Sequence, residues 1–280
     1  MMLEPIWVVR KGFSDKAYHQ LLEALERLEI KHYVVEYVPF DDENVYGLPE
    51  NFDEKDVIVY GGQGLINYGK KHGWTGVYQN DNFSVDAWMR HYGTELLNYD
   101  SAITTIEKAF VDAPRVFVRP VHDTKSFSGQ LMDREDFYTW KNSILAIPDD
   151  VFTTINGKTE ISISTVKDIV AEYRLFVVDG KVVTGSEYKR GDTVAYHSHI
   201  PEYVLEYANL VIAMWEPDKA YCLDIAELYG EGAGCKVLEI NCINGCGLYA
   251  ADVYKYVHTL HYYLSDIMVS RHYDKDRIST

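Results

Sequence analysis

Three polar side chains near the end of the chain are of the types that bind a divalent cation. Glu239 and Asn241 are two residues apart in VLEINCINGCGLYAADV, which begins as a strand, so both side chains share one face with Cα atoms about 6.5 to 7 Å apart. If the preceding segment YCLDIAEL is the antiparallel neighbour, Asp224 can come opposite them. Two carboxylates and an amide suit Mg²⁺, which borrows phosphate oxygens to complete its shell. The cluster therefore predicts a nucleotide nearby.

The same motif also has a less specific explanation. A chain of this composition contains roughly one Glu-x-Asn by chance. The position of the motif favours a site, because it interrupts a strongly apolar strand and follows a strand with an inward-facing Asp. Unpaired carboxylates on a buried sheet face are costly without a metal or another cation.

A second group of residues follows a predicted strand in VFVRPVHDTKSFSG. Its members are Arg119, Lys125, Ser126, Ser128 and Gly129. An arginine fork, a lysine charge, hydroxyls and a flexible backbone together suit a polyphosphate. Taken alone, two cations in a loop are more often a solvated surface.

A third group lies on a predicted hairpin, EYRLFVVDGKVVTGSEYKRG. Its turn is the Asp-Gly pair at 179–180, a strong signal for a two-residue β-hairpin loop. Glu172 and Arg174 share one strand face, and Lys189 and Arg190 follow the second strand. The alternative is a surface ion pair, which contributes little to stability.

The first hundred residues alternate strands and helices, which predicts a βαβ unit. Strands are predicted at 6–10, at HYVVEYV and at 57–61, with a helix from 14 to about 28. The GGQG after the third strand lacks the spacing of a phosphate loop, so a tight turn into a second helix explains it better.

From residue 100 onward the pattern changes to that of a mixed α+β protein. The predicted elements are a helix at 101–110, a strand in VFVRPV, a helical and then strand-like region at 132–147, an alternating strand in ISISTV, the hairpin, a helix at 202–214, strands in AYCLDIAEL and KVLEIN, and a helix from about 251 to 270. Without repeats or low-complexity linkers, the domains are expected to be interleaved.

Charge and composition exclude some classes of protein. The net charge of −16 argues against binding to nucleic acid or to anionic membranes. No apolar run reaches the length of a membrane span and no signal peptide is evident, so the cytoplasm is the expected location. The cysteines lack metal-site spacing and are expected to be reduced, mostly buried thiols.

Together these segments resemble the ATP-grasp superfamily over about residues 100–260. RPVHDTKSFSG, EYRLFVVDGKVVTGSEY and LEINCINGCGLYAAD are similar to a subgroup common in bacteriophages and bacteria, which would place the protein in the host cytoplasm if a phage encodes it. The resemblance implies an α/β (α+β) fold with two lobes whose antiparallel sheets clasp a nucleotide, after a Rossmann-like βα domain. The domains would be 1–100, the small lobe 101–168, and the large lobe 169–280 with the metal site and C-terminal helix.

The resemblance also implies a role for each group. Two Mg²⁺ ions would be held by Asp224, Glu239 and Asn241. ATP would be bound by Arg119, Lys125, Ser126, Ser128, Gly129, Glu172 and the linker around Ser164 and Val166. Arg119 stands where most members carry a lysine, and Lys125 belongs to the loop that closes over the phosphates.

The implied reaction is a ligation, with Arg174, Lys125 and Lys189 as the catalytic candidates. A small-molecule or peptide carboxylate would take the γ-phosphoryl group of ATP, and an amine or less often a thiol would attack the acylphosphate. ADP and phosphate would be released. Positioning and charge neutralisation would supply most of the acceleration.

Other functions remain open at this point. The same fold supports phosphotransferases and non-catalytic nucleotide-binding modules, whereas a Rossmann oxidoreductase would need a glycine fingerprint that is missing here. His197 and His199 lie in a predicted loop, where histidines are usually solvated. The tyrosine-rich C-terminal helix could be core, a homodimer face or a peptide-binding surface, and packing is the safer interpretation.

Overall fold

A computed structural model describes residues 4–12, 15–37, 44–122, 126–148, 151, 153–230 and 233–278. Within these ranges the strands are β1 Ile6–Arg10, β2 His32–Tyr37, β3 Val45–Tyr46, β4 Val57–Tyr60, β5 Ala102–Thr105, β6 Arg115–Pro120, β7 Gln130–Asp133, β8 Glu160–Ser164, β9 Ile169–Val178, β10 Lys181–Arg190, β11 Thr193–His197, β12 Ala220–Leu228 and β13 Gly234–Asn241. The α-helices are α1 Asp15–Arg27, α2 Gln63–Lys71, α3 Val85–Tyr92, α4 Arg134–Leu145, α5 Glu202–Met214 and α6 Val253–Ile278.

The N-terminal sheet has the strand order β3-β2-β1-β4. Strand β1 is parallel to both β2 and β4, so the predicted βαβ unit is confirmed. The apolar runs of β1 and β4 are almost wholly buried, as expected for parallel strands covered on both faces. The predicted helices at 14–28 and after GGQG correspond to α1 and α2.

The second sheet is antiparallel, in the order β5-β8-β6-β7, and packs on α4 through Val118, Phe137 and Ile161. The helix predicted at 101–110 is wrong. The β-branched run at 103–105 forms β5, and only one short 3-10 turn follows. The order predicted for 132–147 is also wrong, because β7 precedes α4.

The third sheet is antiparallel, in the order β11-β10-β9-β12-β13. The predicted hairpin is confirmed: Val178 pairs with Lys181, and Asp179 and Gly180 have φ angles of 46° and 71°, which suits a two-residue turn. The predicted helix at 202–214 is α5. Strand β11 was missed, because its polar sequence lacks an alternating apolar pattern.

The third sheet shares its core with the N-terminal sheet. Rings of Trp7 and Phe176 contact Tyr256 of α6 at centroid distances of 6.1 and 5.3 Å. Tyr256 is therefore core, whereas Tyr254 and Tyr262 are exposed. The predicted interleaving agrees with this packing, and the domain boundaries after residues 100 and 168 stay predictions.

The cysteines are free thiols, as expected, and Cys222, Cys242 and Cys246 are buried. Within the described residues, no helix has both the length and the apolar character needed to cross a membrane.

Candidate nucleotide and metal site

Asp224 lies between two charged partners on the third sheet. It is paired across the strands with Arg174 of β9 on one side and with Glu239 of β13 on the other. The antiparallel neighbour predicted for Glu239 is thus confirmed. Asp224 is fully buried and Arg174 nearly so, and two hydrogen bonds of 2.8 and 2.6 Å run from the guanidinium to the carboxylate.

The amide of Asn241 joins the two carboxylates. Its Nδ2 donates to Asp224 at 3.2 Å and to Glu239 at 2.8 Å. Turning the amide by 180° would direct its carbonyl oxygen to the same point, so the three side chains offer the hard oxygen donors that Mg²⁺ prefers. In the described part of the chain, no group of three His, Cys, Asp or Glu forms a metal centre by itself. This donor set fits a cation that takes its remaining ligands from phosphates and water.

Arg119 balances the charge of the second carboxylate. Its guanidinium is 2.8 Å from Glu239 and lies over the ring of Trp88, 4.9 Å from the centroid. Helix α3 carries Trp88 to this position, and the ring restricts where the long arginine side chain can lie. Arg119 is therefore held beside the acidic cluster, at the end of β6.

Burial changes the acidity of the central carboxyl. Burial raises the pKa of Asp224 to about 6, although Arg174 pulls it down and Glu239 adds to the increase. Removing a carboxylate from water disfavours its charged form. A divalent cation would compete directly with the proton for this group.

A cavity of about 870 Å³ separates the second and third sheets next to this cluster. Seven of the predicted site residues line it: Arg119, Ser128, Gly129, Val166, Glu172, Lys189 and Glu239. The size suits a nucleotide-sized ligand. Apolar side chains of Phe117, Phe127 and Leu131 form part of its wall.

The other predicted residues lie around the cavity. Arg174, Asp224 and Asn241 are buried in the sheet behind Glu239, Ser164 is buried in β8, and Ser126 is half-buried next to the cavity segment. Lys125 lies outside the described residues. Lys189 is paired with Glu172 at 2.8 Å, so the ion pair predicted between Glu172 and Arg174 is replaced by this one.

The two loop histidines are exposed, as expected. His197 belongs to β11, and its Nδ1 is 3.7 Å from Glu187. Glu187 in turn accepts two hydrogen bonds from Arg190, at 2.7 and 2.9 Å. Arg190 thus points into its own ion pair on this edge of the sheet.

Several residues of the site were not predicted. Trp88 could have been found from VDAWMRHY, where apolar residues recur at helical spacing after Ser84. Tyr188 and Tyr249 contact Arg174 through their rings, at 5.5 and 5.1 Å. No pattern in the sequence signals these contacts, because they join separate strands and a turn.

Comparison with known proteins identifies the family. Residues 100–259, more than half of the chain, match a family described as an ATP-grasp domain, the second family of its clade. No curated protein matches the sequence.

Solved structures agree with this match at the level of the fold. D-alanine–D-alanine ligase from Bacillus anthracis, complexed with ATP, has a TM-score of 0.62 at 12% identity, covering 96% of this chain and 100% of the other. D-cycloserine synthetase DcsG has a TM-score of 0.60 at 11% identity, with coverages of 92% and 99%. The ligase PsnB, bound to a precursor peptide and AMPPNP, has a TM-score of 0.53 at 12% identity, with coverages of 93% and 97%. The chain therefore has the ATP-grasp fold and belongs to the ATP-grasp superfamily.

Proposed function

We propose that the protein is an ATP- and Mg²⁺-dependent ligase that joins a carboxylate to an amine, or less often to a thiol. The observation that carries the proposal is the position of Asp224, Glu239 and Asn241 at one edge of an 870 Å³ cavity between two sheets. Membership of the ATP-grasp superfamily supports ATP as the nucleotide.

The nucleotide would lie in the cavity with its base towards the linker at 165–169 and its phosphates towards Glu239. The linker and the apolar wall at Phe117 and Leu131 suit a flat base, and Ser128 and Gly129 suit the phosphates. Arg119 lies at the phosphate end and would bind them through its fork. Ser126 and Lys125, in the same segment, would complete the cover.

Magnesium ions, two by the family resemblance, would be held by Asp224, Glu239 and Asn241 and would offset the charge of the phosphates. Arg174 is the residue we assign to the transferred phosphoryl group or to the substrate carboxylate, because its guanidinium lies next to the metal-site acids. Lys189, which is half-exposed at the cavity wall, would provide a further charge.

The reaction would proceed in two transfers. A carboxylate oxygen of the substrate attacks the γ-phosphorus, ADP leaves, and an acylphosphate forms. The amine nitrogen then attacks the acyl carbon, phosphate leaves with the bonding electron pair, and the amine loses a proton. The protein's part is alignment, charge neutralisation and exclusion of water, since acylphosphates hydrolyse.

The substrates are proposed by class only. They are a small-molecule or peptide carboxylate and an amine, with no role for nucleic acid or membrane. The cytoplasm is the location we propose, and a homodimer stays a prediction.

Calorimetric titration of ATP, with and without Mg²⁺, tests the proposal on the wild type and on Glu239→Ala. We expect micromolar binding that needs Mg²⁺ and that falls at least tenfold in the variant. Exposed Glu160→Ala, on the small sheet, is the matched control and should bind as the wild type does. Normal binding by Glu239→Ala, or none by the wild type, would remove the basis of the proposal.

Product analysis then separates a ligase from a phosphotransferase. Amines and carboxylates are supplied together, and hydroxylamine is added to trap an acylphosphate as a hydroxamate. A ligase gives amine-dependent ADP release and a trapped hydroxamate. A phosphotransferase gives ADP and a phosphorylated hydroxyl, and a binding module gives no ADP.

A further inference from the structure

Three tyrosine rings form a stack that begins at the buried Arg174. Tyr188 and Tyr249 are stacked at a centroid distance of 5.0 Å and an interplanar angle of 19°. Tyr249 and Tyr196 are stacked at 5.3 Å and 24°. The Arg174 guanidinium lies 5.5 Å from the first ring and 5.1 Å from the second. Arg174 therefore has two aromatic neighbours in addition to its carboxylate partner.

A β-bulge directs the first ring to this place. Glu187 pairs with Tyr173 and Lys189 pairs with Glu172, so Tyr188 is the extra residue between two consecutive pairs of β10 and β9. A bulge re-aims a side chain and is common next to active sites. Tyr188 accordingly reaches the catalytic face, where its hydroxyl is 3.5 Å from Asp224.

An unusual backbone conformation directs the second ring. Tyr249 has a φ angle of 51°, a left-handed conformation that is unfavourable for a bulky residue. A Cβ on Gly247 would lie 3.0 Å from the Tyr249 ring, so the glycine makes room for it. Hydrogen bonds from the backbone N–H groups of Ala250 to Ser186 and of Asp252 to Thr184, at 3.2 and 2.9 Å, fix this segment to β10.

The charge balance gives these rings a task. Arg174 is hydrogen-bonded to Asp224, the same carboxylate that would bind Mg²⁺ under the proposed function. A divalent cation on Asp224 repels the guanidinium and takes its hydrogen-bond acceptor. The ring faces attract the guanidinium without using its N–H groups as a carboxylate does.

We propose that Tyr188 and Tyr249 are positioning residues for Arg174. Their rings hold the guanidinium beside the reaction centre when Asp224 turns to the cation, so that its N–H groups are free for the anionic group of the substrate. The inference rests on the proposed function and adds to it the source of Arg174's alignment. It also makes the binding of the substrate anion dependent on prior binding of the metal and nucleotide.

The stack supplies its own matched set of variants. Tyr249→Leu removes the ring next to Arg174, and Tyr249→Phe keeps the ring and removes only the hydroxyl. Tyr196→Leu removes the outer ring, which is exposed on β11 and stacks on Tyr249 rather than on the guanidinium. Arg174→Met combined with Tyr249→Leu completes a double-mutant cycle.

The experiment measures, by calorimetry, the gain in ATP affinity caused by Mg²⁺ in each variant, after thermal unfolding has shown that each is folded. We expect the gain to fall about tenfold in Tyr249→Leu, since a desolvated cation–π contact is of this size. It should stay within about twofold of the wild type in Tyr249→Phe and Tyr196→Leu, and ATP binding without Mg²⁺ should not change. In the Arg174→Met background, Tyr249→Leu should have no further effect.

Three results would overturn the inference. These are an unchanged gain in Tyr249→Leu, an equal loss in Tyr249→Phe, and a loss that persists when Arg174 is absent. The last would mean that Tyr249 supports the fold rather than the arginine. If the wild type itself shows no Mg²⁺-dependent gain, the proposed function fails first, which distinguishes the two failures. If the double variant does not fold, the comparison of leucine with phenylalanine at position 249 still decides.

Discussion

Arg174 and Asp224 lie directly opposite each other on adjacent antiparallel strands, and two hydrogen bonds of 2.8 and 2.6 Å join their buried side chains. Removing one partner of such a pair leaves a buried charge unbalanced and costs about 3–5 kcal/mol. We expect Arg174→Met to lower the free energy of unfolding by this amount, measured by urea denaturation at pH 7.5. Combining it with Asp224→Leu should recover most of the loss.

Magnesium provides an independent check of the same pair. If Asp224 and Glu239 bind the metal, added Mg²⁺ should stabilise Arg174→Met more than the wild type, because the cation replaces the missing guanidinium. The matched control is Arg90→Met, which breaks an exposed ion pair with Asp86 on α3. Its stability should change by less than about 1 kcal/mol, with no differential response to Mg²⁺. Equal responses of both variants would contradict the shared site.

The acidity of Asp224 predicts how metal binding depends on pH. Its pKa of about 6 means that the carboxyl is ionised at pH 7.5 and mostly protonated at pH 5. Since a proton and a cation compete for it, the Mg²⁺-dependent gain in ATP affinity should fall roughly tenfold per pH unit below pH 6. Calorimetry from pH 5 to 8 measures this, and a parallel series without Mg²⁺ corrects for protonation of ATP. A gain that is constant across the range would refute it.

Asn244 should be among the most sensitive residues outside the cavity. Its buried side chain donates to the backbone oxygens of Val59 and Gly76, at 2.9 and 2.8 Å, and accepts from the N–H of Tyr78 at 2.7 Å. Asn244→Ala leaves these groups buried without partners, at about 1–3 kcal/mol each. We expect a loss of at least about 3 kcal/mol in urea unfolding, against less than about 0.5 kcal/mol for the exposed Asn67→Ala.

His261 predicts a loss of stability in acid. Burial, with a smaller effect from His258, lowers the pKa of His261 from 6.5 to about 4, so the folded state keeps this imidazole neutral while the unfolded state protonates it. The contribution to stability is therefore complete above pH 6.5 and is lost as the pH falls towards 4, up to about 3 kcal/mol.

The variant His261→Leu isolates this effect. Urea denaturation at pH 7.5 and 4.5 should show a smaller acid loss in the variant than in the wild type. The exposed His19→Leu should lose as much as the wild type does. An identical acid loss in all three proteins would show that His261 does not contribute.

The sequence was informative where one local pattern determines the structure. The Asp-Gly turn at 179–180 predicted the hairpin, and the spacing of Glu239 and Asn241 predicted a shared face opposite Asp224. The helix expected at 101–110 failed because its β-branched residues find strand partners in β8, far along the chain. Tertiary pairing overrides a weak local preference of this kind.

The ring contacts around Arg174 could not be predicted for a different reason. They depend on a bulge at Tyr188 and on a left-handed backbone at Tyr249. Each is a local departure from regular geometry that only the assembled sheet stabilises. The pairing of Lys189 with Glu172 follows from strand register in the same way.

The bonds from Asn244 to Val59 and Gly76 also bear on how the chain is made. Synthesis proceeds from the N-terminus, so β1 and β4 leave the ribosome long before residue 244 and the α6 residue Tyr256, which packs on Trp7. The first sheet then has to wait, with apolar surface uncovered, until nearly the whole chain has been translated. Completion of its core is therefore a late, post-translational event, and a nascent chain of this protein is a natural client for chaperones.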